Sequence, residues 1–235
     1  MLKFENTKVM NFKGALRGMR NPLNSWGKAD SMFYSGYCKE CPLDRVQVHS
    51  AKAFADNECF EIGPNDIKLA QNLIAAGSDH RKFLRQIFVC VDITAPLYWW
   101  KEFDTYKVGT VANSCSTMHK IHSKPIELSD FSIDDFKLDD NFMYLSDYFE
   151  DVIADCENLR RKYVETKDKR YWKALIQLLP ESYNQMRTVT LNYENLRKIY
   201  GSRRNHKLTE WSDGFMDWID CLPYAEELIK YEKHS

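Results

Sequence analysis

Between Asn113 and Lys120 the chain reads Asn-Ser-Cys-Ser-Thr-Met-His-Lys, a dense run of small polar side chains. The hydroxyls of Ser114, Ser116 and Thr117, with the backbone amides of a turn, can ring an oxyanion without a lysine. Ser114, Cys115 and Ser116 are therefore candidate phosphate ligands. The same residues also suit a helix cap with small buried side chains, and both readings stay open. Cys115 would become a nucleophile if helix-end amides lowered its pKa. No histidine is set beside it by sequence, and no catalytic residue is assigned.

Two basic clusters could meet an anion: His80, Arg81, Lys82 and Arg85, and then Arg203, Arg204, His206 and Lys207. Guanidinium forks match phosphate oxygens in pairs. On different helices the clusters could face one anionic cofactor, and they equally read as solvated surface charge. Cys38-Lys-Glu-Cys41, with His49 and Cys59 downstream, could close a tetrahedral zinc site. A second pair of matching spacing is missing, so these read as loop cysteines and no metal is assigned. Ser129-Asp130, Asp134-Asp135 and Asp139-Asp140 read as a solvated loop. The chain carries neither a glycine-rich phosphate loop nor a dinucleotide fingerprint, which removes P-loop and Rossmann readings.

Periodicity names the elements that must position these residues. Residues 1–35 read as a short strand and loops, and about 34–62 as irregular. Asn65 or Asp66 caps a helix with the stripe Ile67, Ala70, Leu73 and Ile74, ended by Gly77. Ile87–Ile93 is apolar and β-branched, a buried strand. Pro96 opens the next helix and Gly109 breaks it. The longest helical pattern runs from Asn141 to about Lys167, with Phe142, Leu145, Phe149, Ile153, Cys156 and Leu159 on one face. Arg170–Leu179 continues to Pro180, and helices near Thr188–Tyr200 and Lys207–Leu222 follow. The expectation is one mixed α/β (α+β) domain over 1–235, a small sheet packed by long helices.

Bulk properties narrow the class further. With 44% hydrophobic and 29% charged residues, the chain can bury a sizeable core. A formal net charge of −1 gives no drive toward nucleic acid. No run of about twenty apolar residues would span a bilayer, and the start lacks the apolar stretch of a signal peptide. Seven cysteines without an export signal read as reduced thiols in the cytoplasm.

The order of these segments resembles the flavin-dependent thymidylate synthases, which turn dUMP into dTMP with FAD, a reduced nicotinamide cofactor and methylenetetrahydrofolate. That family's signature is Arg-His-Arg, seven residues, then Ser. Here Asp104-Thr105-Tyr106 is followed by the seven residues Lys107 to Asn113 and by Ser114. The spacing is kept, while all three signature residues differ. The family's Leu-Leu-Pro and Thr-x-Asn-x-Arg correspond to Leu178-Leu179-Pro180 and Thr190-Leu191-Asn192-Tyr193-Glu194, followed by Arg203 and Leu208-Thr209-Glu210-Trp211-Ser212. Arg81 to Arg85 falls where the family has a Glu-His pair. Order and spacing agree over roughly residues 65–220.

The resemblance implies the family's fold, a homotetramer with shared active sites, and an interface role for Tyr98, Trp99 and Trp100. It implies that Ser114, Cys115 and Ser116 hold a nucleotide phosphate and that Arg203 joins them. Arg85, Tyr106, Lys107 and Asn192 would lie toward FAD. The activity implied is a flavin-dependent methyl transfer to dUMP, or a variant of it. Arginines expected at the signature, at Glu194 and at Ser212 are absent, and each lost cation removes about 1.5–3 kcal/mol of charged hydrogen bonding. That pattern equally suits a non-catalytic relative that keeps the fold for nucleotide binding, sensing or assembly.

Overall fold

Strand β4, Phe88–Pro96, shows how the sequence builds the sheet. Val89, Val91, Ile93 and Ala95 alternate with more exposed neighbours and are fully buried, as a pleated strand with β-branched residues on one face requires. The computed structural model describes residues 2–35, 58–136, 142 and 144–232. Four strands, β1 (Lys3–Met10), β4, β5 (Val111–Ser114) and β6 (Asn184–Asn192), form a sheet in the order β1-β4-β6-β5. Strands β2 (Met32–Ser35) and β3 (Glu58–Glu61) form a separate antiparallel pair, Met32 opposite Glu61. They bracket part of the segment expected to be irregular. The fold is the expected mixture of a small sheet and long helices.

The chain divides into two compact units, one of Met1–Lys3, Ile93–Thr105 and Asn113–Arg187, the other of Phe4–Asp92, Tyr106–Ala112 and Thr188–Ser235. In the first, α3 (Leu97–Phe103) buries Trp99, Trp100 and Phe103. Trp99 and Trp100 are fully buried within the chain, which corrects the interface role expected of them. Short α4 (Thr117–Lys120) follows β5. Helices α5 (Tyr144–Thr166) and α6 (Lys169–Leu178) close the unit. Phe149, Ile153 and Cys156 recur at helical spacing on α5 and pack with Ile121, Phe131 and Leu175. Burying such side chains contributes about 1.5–3 kcal/mol each. Phe142, expected on this stripe, precedes the helix and is exposed. Burial pushes the Cys156 thiol up to about 11.

In the second unit α1 (Phe12–Met19) buries Phe12, Ala15, Leu16 and Met19, an i, i+3, i+4, i+7 stripe where loops were expected. Phe12 packs on Phe60 at 4.5 Å between ring centroids and edge-on to Tyr193 at 5.4 Å. Helix α2 (Pro64–Ala75) begins and ends as expected, with a different cap. The Asp30 carboxylate accepts from Asn65 N at 2.9 Å and Asp66 N at 3.1 Å. A Cβ on Gly63 would fall 2.3 Å from Asp30 Cγ, so glycine is required where that carboxylate crosses the helix start.

Two expected helices are corrected. Thr188–Asn192 belongs to strand β6, because Val189 and Leu191 alternate inward; α7 spans Tyr193–Arg203 after Asn192 caps it. Lys207–Leu222 contains a π-helical turn, Glu210–Phe215, before α8 (Met216–Asp220). No described helix is long and apolar enough to cross a membrane.

Candidate functional site

In the first unit the expected phosphate ligands sit where β5 passes into α4. Ser114 is the last, exposed residue of β5 rather than part of a post-helical turn. Cys115 follows, its amide donating to Met186 O at 2.9 Å and its carbonyl accepting from Gln185 Nε2 at 2.8 Å. That amide is thus committed to β6 and not presented to an anion. Ser116 Oγ accepts from His119 N at 3.0 Å, so Ser116 caps α4. Trp172 Nε1 anchors the same turn through Met118 O at 2.7 Å.

Around this junction lies a cavity of about 230 Å³, lined by Cys115, Ser116, Thr117, Lys120, Lys124 and Tyr183 among others. Cys115 is an exposed free thiol. Lys124 bonds the Asp130 carboxylate, and that bond outweighs desolvation to hold the ammonium protonated above its ordinary range. Burial, then the Asp130 charge, pushes the Tyr183 phenol up, so it stays a neutral O–H donor. The cavity can therefore present the Lys120 ammonium, small hydroxyls and a phenol to an oxyanion, while the Lys124 charge is shared with Asp130. Lys124, Tyr183 and Gln185 carried no local sequence signal; chain topology brings them to the turn.

Five further expected residues lie in the second unit. Arg203 Nε donates to Tyr106 Oη at 2.8 Å, and its guanidinium lies over Trp211 at 5.1 Å from the ring centroid. Asn192 Oδ1 accepts from Asn195 N at 3.0 Å, and Asn195 Nδ2 donates to Val108 O at 2.6 Å. These bonds gather Tyr106, Asn192 and Arg203 around the loop Tyr106–Gly109, with Lys107 exposed upon it. Arg85 stands apart, exposed, with Nη2 donating to Ser78 O at 3.3 Å. Arg81, of the same basic cluster, is held in an ion pair with buried Glu194.

At the signature positions the first unit carries a carboxylate. Asp104 accepts from Arg187 Nη1 at 2.8 Å, and Arg187 lies over Trp100 at 4.2 Å while its Nε donates to Gln185 at 2.9 Å. Sequence reasoning missed Arg187, which immediately precedes what read as a helix start and received no reading. A flavin pyrophosphate needs cations that are not already neutralised. Asp104 with Arg187 and Glu194 with Arg81 put compensated carboxylates where the resemblance places arginines, so these positions do not fit the group. Among the described residues no group of three or more His, Cys, Asp or Glu is arranged to hold a metal ion. Cys38, Cys41 and His49 of the candidate zinc set lie outside the described residues.

No protein-family model matches the chain, and no curated protein matches it in sequence. Among solved structures it is similar to thymidylate synthase X (ThyX) from Helicobacter pylori with FAD and dUMP, at 15% identity and a TM-score of 0.62 over 97% of this chain and 96% of that one. A second structure of flavin-dependent thymidylate synthase ThyX from Helicobacter pylori, complexed with FAD and dUMP, gives 15% identity and a TM-score of 0.61 over 97% of both chains. With the expected order of strands and helices, this likeness establishes that the chain has the fold of the flavin-dependent thymidylate synthases.

Proposed function

We propose that this protein binds a uridine nucleotide on a flavin-dependent thymidylate synthase scaffold. The phosphate would enter the cavity of Cys115, Ser116, Thr117, Lys120 and Lys124. One observation carries this reading: Lys120, and Lys124 with its Asp130 counter-ion, line the same cavity as the hydroxyls picked out by sequence. Ser114 borders that turn. A homotetramer and a cytoplasmic setting belong to the same proposal.

A second reading is flavin-dependent one-carbon transfer to dUMP, with FAD, a reduced nicotinamide and methylenetetrahydrofolate. It is favoured by the neighbours of this fold, which were solved with FAD and dUMP. Arg85, Tyr106, Lys107 and Asn192 would then lie toward the cofactor, and Arg203 would meet cofactor or nucleotide. The paired carboxylates at Asp104 and Glu194 favour nucleotide binding without that chemistry.

One experiment separates the two. An absorbance spectrum of the purified protein is taken with and without FAD, followed by titration with dUMP. Binding of dUMP without flavin peaks supports the first reading; flavin peaks that shift on adding dUMP support the second. No dUMP binding at millimolar concentration overturns the first. Light scattering checks the tetramer.

A further inference from the structure

Helix α1 and its C-cap carry a second stripe beside the apolar one. Lys13, Arg17 and Arg20 recur at i, i+4 and i+7 and so share one side of the helix. All three line a cavity of about 220 Å³ within the second unit, together with Trp26, Phe33 and Asp66. None of these residues belongs to the Cys115 cavity.

The charges in this cavity do not balance. Arg20 is 3% exposed, and its Nε donates to Asp66 Oδ1 at 2.6 Å while Nη1 donates to Ser25 O at 3.2 Å. Its Nη2 is buried without a hydrogen-bond partner. A buried guanidinium N–H left unpaired is costly until an acceptor arrives. Asp66 cannot supply one, since its other oxygen already accepts from Asp30 N at 3.2 Å, Ser31 N at 3.0 Å and Ser31 Oγ at 2.6 Å. The Arg20–Asp66 pair is neutral as a unit, so among the described residues that line the cavity Lys13 and Arg17 leave a positive charge.

The walls are aromatic. Lys13 Nζ lies 5.8 Å from the centroid of Phe33, and the Arg17 guanidinium 5.8 Å from that of Trp26. Trp26 is 42% exposed, and its Nε1 donates to Asn21 Oδ1 at 2.9 Å, which orients the indole. A metal ion would meet net positive charge here, and a bare inorganic anion would leave the aromatic walls uncovered. We propose that this cavity binds a small aromatic oxyanion. Its carboxylate or phosphate lies between Lys13 and Arg17 beside the Arg20 guanidinium, and its ring covers Trp26 and Phe33.

The test is a fluorescence titration of the whole protein with phenyl phosphate, benzoate and inorganic phosphate. The Trp26→Phe variant identifies the reporting indole. At least one aromatic anion is expected to change the Trp26 signal and to bind roughly tenfold or more tightly than inorganic phosphate. Whether phenyl phosphate or benzoate binds tighter shows which oxyanion the site takes. The Lys13→Gln/Arg17→Gln double variant alters exposed side chains and keeps the fold by circular dichroism. It should weaken binding roughly tenfold or more. Arg20→Lys, which keeps the charge and loses the fork, should weaken it as well. Lys120→Gln and Lys124→Gln should leave it unchanged, so failure here and failure of the nucleotide reading are separable. The proposal is overturned if neither aromatic anion binds at millimolar concentration, if inorganic phosphate binds as well as both, or if the double variant binds unchanged.

Discussion

Arg81 grips Glu194 with two N–H groups, Nε to Oε2 at 2.8 Å and Nη2 to Oε1 at 3.2 Å, and the Glu194 side chain is only 3% exposed. The carboxylate lies in the first turn of α7, where the resemblance implies an arginine and the helix dipole favours an anion. Removing one member of a buried pair leaves the other charge uncompensated. Glu194→Ala should therefore lower unfolding free energy by about 3 kcal/mol. The Arg81→Ala/Glu194→Ala double variant should lose clearly less than the sum of the single losses, because neither leaves an orphan. Urea denaturation of the three variants measures this. Additive losses would mean that the two side chains do not act as a pair.

Acid stability should depend on Asp92. Thr188 Oγ1 donates to its Oδ1 at 2.5 Å and Asn6 Nδ2 to its Oδ2 at 2.7 Å. These two bonds, Thr188 first, hold the carboxyl below its ordinary value of 3.8. A folded pKa below the unfolded one means that the folded state favours the charged form. The contribution is full above the ordinary value and is lost as pH falls through the lower folded value. Asp92→Asn should remove that dependence and flatten the stability curve below roughly pH 4. Thermal melts across the acid range check this; an unchanged acid slope would assign it to other carboxylates.

Substitutions around the Cys115 cavity have opposite expected signs. Lys120→Gln and Lys124→Gln each remove a cation that lines it, and each should weaken dUMP binding roughly tenfold. Asp130→Asn removes the carboxylate that competes with the ligand for Lys124 and should tighten binding a few-fold. Calorimetric titration reads all three. Weaker binding in Asp130→Asn would show that orienting Lys124 matters more than freeing it.

What the sequence made legible follows from where one element decides its own fate. α2, β4 and α6 carry clean periodicities and flanking Pro or Gly, and their spans came out close. Strand β5 exposes all four of its residues, so no alternation could betray it. β6 reads Thr-Val-Thr-Leu-Asn before α7, and Leu191, Asn195, Leu196 and Ile199 together imitate a continuous helical stripe. Only sheet pairing divides that run at Asn192. The site shows the same limit. Cys115, Ser116 and Lys120 are neighbours in sequence, whereas Lys124, Tyr183 and Gln185 reach them through packing of the first unit. Arg187 drew no notice in the sequence, and Arg81, Asp104 and Glu194 did so only singly; each cation's role is fixed by a carboxylate far along the chain.

Gly109 tests whether the loop bearing Tyr106 and Lys107 needs its present shape. Its φ is +77°, in the left-handed region, and a Cβ there would lie 3.0 Å from Asn195 Oδ1 and 3.1 Å from Asn192 Nδ2. Those two asparagines cap α7 and hold the Val108 carbonyl. Gly109→Ala meets both a backbone penalty and a crowded neighbour and should cost about 1–3 kcal/mol. Asn195→Ala at the same junction gives up its side-chain bond to Val108 O while Asn192 still caps the helix. It should cost less, about 1 kcal/mol. Chemical denaturation ranks the two. A Gly109→Ala protein as stable as the parent would mean that the loop relaxes away from the asparagines, and Tyr106 would then lose its fixed approach to Arg203.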